Sequence, residues 1–293
     1  MNGMQSAGEL LGMVERRAAD NLSRSDTYIG KDGVLRCSVC HEPRRAFIEA
    51  IGREMPVACS CSDREAAKRK RQERIAFVKQ KAETCILYDA SYNSFTFARD
   101  NSPDSVASKQ CRAYVERWED MERKNFGLIL SGTLGTGKSY YAAAVVNALR
   151  ARGVSALIVT TSRLVNALRA SRDPLGVTDE LNSFQLVALD DLGAERDTDF
   201  AVEQIENFVN DRILINRPLI VTTNLTGKEL NAPPDMRYAR IFDRILVMCP
   251  RPVILTGQSR RVDQRQERAA EMKSILGCDR GPDGTKKRPR RRA

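Results

Sequence analysis

The chain has 293 residues, of which 42% are apolar and 29% charged, and its 48 Lys and Arg outweigh 38 Asp and Glu for a formal net charge of +10. That length carries one sizeable core and a small extra domain, and no apolar run approaches the roughly eighteen residues of a membrane span, which excludes a transmembrane role. The opening MNGMQSAGELLGMVERR sets Glu9 and Glu15 where a secretory signal would be apolar, so a cytoplasmic chain is expected, in which clustered cysteines point to metal rather than disulfides.

Residues 1–30 are polar with weak helical periodicity, and residues 31–62 bear cysteines and are punctuated by Gly33, Pro43 and Pro56. Cys37-Ser38-Val39-Cys40 and Cys59-Ser60-Cys61 set two tight thiol pairs within 25 residues. Each pair can grip a metal from a turn, and together they close a tetrahedral zinc site that folds a segment too small for its own core. Free buried thiols are the bland alternative. Cys37 to His41 also spells C-x-x-C-H, the haem-attachment string, but that chemistry belongs to exported cytochromes; His41 either lies outside the ligand set or replaces one thiolate. Cys85, Cys111, Cys249 and Cys278 are isolated and receive no chemistry.

The positive charge is concentrated. Residues 62–84 hold eight Lys/Arg against four Asp/Glu, and residues 281–293 hold six against Asp283 alone, so nine of the ten net charges sit in two stretches. The first reads as a mostly exposed basic helix linking two domains; the second, GPDGTKKRPRRRA, has nothing to bury and reads as a disordered tail. Either stretch can attract a polyanion or merely aid solubility. The boundaries that follow are an N-terminal module over 1–62, a linker over 63–87, a globular domain over 88–262, and a C-terminal helix and tail over 263–293.

In the globular part, β-branched runs at 127–130, 156–160, 186–189 and 219–223, with a shorter one at 253–255, alternate with helix-like stretches at 139–152, 162–172, 201–217 and 227–245. The alternation predicts an α/β fold with a parallel sheet covered on both faces, whose ligands sit beyond the carboxyl ends of the strands. Directly after the first strand, Gly132-Thr133-Leu134-Gly135-Thr136-Gly137-Lys138-Ser139 fits G-x-x-x-x-G-K-[ST]. Glycines let backbone N–H groups face phosphate oxygens, Lys138 would reach the β- and γ-phosphates, and the Ser139 hydroxyl would meet Mg²⁺. The third strand runs into Asp190-Asp191, costly beside buried strands unless they face a cation or water. Asp190 is the candidate magnesium partner, and Asp191 would orient or deprotonate the attacking water. Asn224, after the fourth strand, could hold that water or touch the γ-phosphate, or simply make an Asx-turn. Arg240 and Arg244 lie four apart on one helical face, and Arg260 and Arg261 follow the last strand; each could stabilise phosphoryl-transfer charge or be a surface arginine.

The runs GLILSGTLGTGKSY, LVALDDLG, LIVTTNL, RIFDRI and GQSRR, preceded by Tyr92-Asn93-Ser94-Phe95-Thr96-Phe97, resemble the AAA+ ATPases of the DnaC/IstB type over roughly residues 88–262, and most closely the bacterial and phage helicase loaders. The resemblance implies a P-loop sheet of strand order 5-1-4-3-2, with residues 132–139 as Walker A, Asp190 and Asp191 as Walker B, and Asn224 as sensor 1. It implies Arg244 as an arginine finger offered to a neighbouring subunit, Arg240 as its companion, and Arg261 as the sensor 2 arginine. ATP and Mg²⁺ would be bound, Gly135, Thr136, Gly137 and Lys138 lining the phosphates. The partners implied are a hexameric DnaB-type replicative helicase, single-stranded DNA and further copies of the chain. The N-terminal zinc module would dock on the helicase, as in DnaI-type loaders. Two departures stand out: Asp191 replaces the glutamate of many such ATPases, implying slow hydrolysis, and only 36 residues follow Gly257, too few for a full helical lid. An IstB-like transposition helper is the first alternative, and a zinc-containing DNA-binding adaptor that binds ATP without turnover the second.

Overall fold

The β-branched runs form one parallel sheet in the computed structural model, which describes residues 27–193, 198–233, 235–257 and 260–276, the side chains of 51 and 260–267 excepted. The chain divides into two compact units between Arg74 and Ile75.

The first unit holds two small antiparallel ladders, β1 (Thr27–Ile29) with β2 (Leu35–Cys37) and β3 (Arg45–Ile48) with β4 (Arg53–Pro56). Gly33 and Gly52, both at positive φ, serve their turns. Among its described residues only Cys37, Arg44, Met55 and Cys59 are buried, too few to form a hydrophobic core. Helix α1 (Ser60–Thr84) then runs across the boundary. Its basic stretch up to Phe77 is largely exposed, whereas Val78 and Ala82 are buried.

In the second unit, helices α2 (Val106–Glu116) and α3 (Trp118–Arg123) precede the alternating α/β part. That part comprises β5 (Leu128–Gly132), α4 (Lys138–Arg150), β6 (Ala156–Thr160), α5 (Thr161–Ala170), α6 (Pro174–Asn182), β7 (Leu186–Leu192) and α7 (Asp199–Leu214). It continues through β8 (Leu219–Thr223), α8 (Gly227–Asn231), α9 (Ala239–Met248) and β9 (Val253–Leu255) to α10 (Arg260–Ile275). The strands lie in the order β6-β7-β8-β5-β9, all parallel. Counting β5 as the first strand of this sheet and starting from the β9 edge, that order is 5-1-4-3-2.

Period-two alternation sends successive side chains to opposite faces, and both are dry. Ile129, Leu157, Val187 and Val221 pack with Leu164 of α5, Phe208 of α7 and Phe242 of α9. Leu130, Ile158, Ala188 and Ile220 pack with Tyr114 of α2 and Val146 of α4. Arg212 is fully buried at the end of α7 and donates to the carbonyls of Phe184, Gln185 and Pro218, tying the segments that lead into β7 and β8.

Two expectations need correction. The helix-like stretch 227–245 is not one helix: α8 stops at Asn231, ahead of Pro233, and α9 starts at Ala239 after a 3-10 turn, because proline lacks the N–H a helix interior needs. The third strand does not end at Leu189 but continues through the aspartates to Leu192. Among the described residues no helix is long and apolar enough to cross a membrane. The basic tail and Cys278 lie outside the described residues.

Candidate functional site

The loop between β5 and α4 is shaped by its glycines. Gly135 and Gly137 take φ of 80° and 99°, which a residue without Cβ adopts freely. At Gly132 a Cβ would stand 2.3 Å from the Leu255 carbonyl oxygen, so glycine is what lets β5 close on β9. Lys138 is buried, and its ammonium donates to the carbonyls of Gly132 at 2.8 Å and Thr133 at 2.9 Å. The Thr136 hydroxyl donates to the same Thr133 oxygen at 2.9 Å. An ammonium, the half-buried Ser139 hydroxyl and the N-terminus of a 13-residue helix thus meet at one loop, a donor set that fits a triphosphate and its magnesium ion.

On the same carboxyl edge, two strands away, β7 carries the aspartates. Leu189 pairs with Val221 and Leu192 with Thr223, so Asp190 and Asp191 together oppose Thr222, a β-bulge. Asp191 takes φ 59°, a left-handed conformation that aspartate tolerates better than most residues. Its N–H donates to the Thr222 hydroxyl at 2.8 Å, and that hydroxyl donates to Asp190 Oδ1 at 2.6 Å. The Tyr92 hydroxyl donates to Asp190 Oδ2 at 2.8 Å, and Thr161 donates to the Asp190 carbonyl at 3.0 Å. Asp190 is 2% exposed, so both carboxylate oxygens are held by neutral donors in a buried position. Burial, reinforced by the Asp190 charge, pushes the Tyr92 phenol far above its ordinary range and keeps it a donor.

The remaining polar candidates are dispersed. Asn224 is exposed just past β8. Arg240 is exposed on α9, while Arg244 Nη1 donates to Glu206 Oε1 at 2.9 Å and to Asn210 Oδ1, both on α7. The structure therefore brings together the loop and the aspartates on one sheet edge and seats Arg244 on a neighbouring helix. Arg260 and Arg261 open α10, but their side chains lie outside the described residues. Tyr92, Thr161 and Thr222 are site residues that sequence reasoning missed; the double threonine of LIVTT was the available signal.

In the first unit the sulphurs of Cys37, Cys40, Cys59 and Cys61 all lie within 4.8 Å of one another. A tetrahedral zinc–thiolate site with bonds of about 2.3 Å has edges of about 3.8 Å, so the set fits such an ion. Backbone hydrogen bonding at Glu42 brings Cys40 down to about 6, while the hydrogen bond to Cys40 and desolvation push Cys61 up to about 12. Buried Arg44 donates to Cys59 Sγ at 2.9 Å, placing a guanidinium against the cluster. His41 Nδ1 meets the Tyr28 hydroxyl at 3.0 Å and is no member of the four-sulphur group.

With this geometry in view, the profile of the IstB-like ATP binding proteins matches residues 53–268, about three quarters of the chain. This chain belongs to that family. It is a DnaC/IstB-type AAA+ ATPase. The replicative helicase loader DnaC of Escherichia coli K12 is 28% identical over 144 residues, 47% of this chain and 56% of that protein. The replicative helicase loader DnaI of Bacillus subtilis 168 is 28% identical over 151 residues, 47% of this chain and 48% of that protein. The chain thus spans about half the length of the curated relatives it matches. A crystal structure of DnaI aligns with a TM-score of 0.50 at 26% identity, covering 59% of this chain and 93% of that one.

Proposed function

We propose that this ATPase loads a hexameric DnaB-type replicative helicase onto single-stranded DNA. The observation that carries the reading is the joining of two parts: an ATPase unit similar to chains named as replicative helicase loaders, and a separate small unit with four clustered thiols. In this reading the N-terminal module, with zinc held by Cys37, Cys40, Cys59 and Cys61, grips the helicase, and the basic helix α1 adds a salt-sensitive attraction to DNA.

Lys138 and the backbone N–H groups of 132–139 hold the phosphates, giving up the loop carbonyls that the ammonium now caps. Ser139 and Asp190 would hold a magnesium ion, whose positive charge would be its contribution to phosphoryl transfer. Asp191 takes a proton from the attacking water or orients it, and Asn224 steadies that water. Arg244 acts on the site of a neighbouring copy, Arg240 beside it, and Arg261 completes the nucleotide contacts.

Light scattering of the purified chain mixed with its cognate helicase tests the reading. A stable complex is expected, together with ATP-dependent transfer of the helicase onto protein-coated single strands that Lys138→Ala abolishes. A helicase that loads equally well without this chain refutes it. The IstB-like family match favours one second reading, a transposition helper, for which a transposase rather than a helicase would be stimulated.

A further inference from the structure

We infer that Tyr92 is a positioning residue of the ATPase site, its hydroxyl holding the carboxylate of Asp190 ready for magnesium. The inference rests on the reading of Asp190 as the magnesium partner. An ionised carboxylate offers about four acceptor positions. Tyr92 fills one on Oδ2 and Thr222 one on Oδ1, so each oxygen retains a lone pair for a further ligand. Because these two donors are neutral hydroxyls, they orient the buried charge without cancelling it, as a lysine or arginine at those positions would.

Tyr92 is itself fastened to the helix that begins with Lys138. Asn147 of α4 donates to the carbonyls of Tyr92 at 2.8 Å and Phe95 at 2.9 Å. Tyr140 of α4 donates to the Thr96 carbonyl at 2.6 Å and packs its ring 5.4 Å from that of Phe95, which meets Tyr92 edge-on at 6.1 Å. The segment before α2 therefore ties the phosphate helix to the aspartate strand, and the Tyr92 hydroxyl is its last link. Loss of that link leaves a buried carboxylate short of a donor on Oδ2 and held by Thr222 alone.

The test is equilibrium calorimetry with a non-hydrolysable ATP analogue, in EDTA and across a Mg²⁺ titration. Tyr92→Phe keeps the ring contact, so affinity in EDTA should match wild type. The Mg²⁺ concentration that half-maximally tightens binding should rise about 10–100-fold, the usual cost of removing a group that orients a metal ligand. Thr222→Val should move the Mg²⁺ midpoint the same way. If Tyr92→Phe shows no cooperative melt, Tyr92→His, which keeps a ring and a donor, should fold and hold its Mg²⁺ midpoint closer to wild type than Thr222→Val does; a midpoint no closer overturns the role of the hydroxyl. A midpoint within about two-fold of wild type in the folded variant overturns the role of Tyr92 alone. A wild-type chain whose affinity ignores Mg²⁺ overturns the magnesium reading of Asp190, and this inference with it.

Discussion

If Arg244 reaches the phosphates of a neighbouring copy, it must first leave α7, and that exchange can be tuned from the α7 side. Its contact with Glu206 is 2.9 Å long, with side chains 40% and 23% exposed, and Asn210 adds a second acceptor. A partly exposed pair of this kind is worth about 0.5–1 kcal/mol, which by the tenfold-per-1.4 kcal/mol rule holds the arginine back about 2–5-fold. Glu206→Ala should therefore lower the protein concentration at half-maximal ATPase by about 2–5-fold, since the finger-competent state no longer competes with the ion pair. Added salt should shrink the difference between variant and wild type by screening the pair. Arg244→Ala should remove the concentration dependence altogether. Rates measured over a protein dilution series decide it. A Glu206→Ala midpoint equal to or above wild type, alongside a strong Arg244→Ala defect, would show that the α7 contact persists while the arginine acts, and the latch argument would be wrong.

Four further outcomes are expected. Asp191→Asn should still bind ATP but lose about 10²–10⁴-fold in hydrolysis, read as nucleotide retained after gel filtration. Replacing Cys37 and Cys40 with Ser should take the chain from about one zinc to none by elemental analysis, and a native protein without metal would end the zinc reading. Gly132→Ala drives a Cβ to 2.3 Å from the Leu255 carbonyl oxygen, so a loss of about 1–3 kcal/mol and a melting point several degrees lower should accompany weakened ATP binding. Changing Lys68, Arg69, Lys70 and Arg71 to Gln should weaken single-strand affinity at low salt and flatten its log–log salt slope by about 3; an unchanged slope would take α1 out of the DNA interface.

The sheet was legible because its strands are pure examples of their class. Residues 156–160 and 219–223 are β-branched or apolar throughout, almost wholly buried on both faces, and stand out from the amphipathic stretches between them. The phosphate loop was equally legible, since its chemistry demands glycines at fixed spacing. Helices α2 and α3 were not, because their pattern makes sense only against the face of the sheet they cover, where Cys111, Tyr114 and Trp118 are buried, and the short α6 buries only Leu181, in the other cluster. The ladders of the first unit are three or four residues each with almost nothing buried, so no hydrophobic period marks them. The bond from Tyr92 to Asp190 spans 98 positions in sequence, beyond any local rule. The seat of Arg244 on Glu206 and Asn210 needed the packing of α9 on α7.

The double aspartate shows why a bulge belongs at this site. In a regular strand Asp190 and Asp191 would point to opposite faces, and one carboxylate would enter a dry core with no partner, at a cost of several kcal/mol. Here Leu189 and Leu192 both pack into the same hydrophobic cluster, so the alternation has slipped by one residue between them and neither aspartate occupies the apolar face that they share. At the slip the Asp191 N–H donates to the Thr222 hydroxyl, a bond across the two strands. The same hydroxyl passes its own proton toward Asp190, so one side chain bridges the strands and orients the neighbouring carboxylate. Serine would supply the oxygen, but threonine, with its stiff χ1, also suits a buried strand, which is a physical reason for a threonine opposite a pair of aspartates.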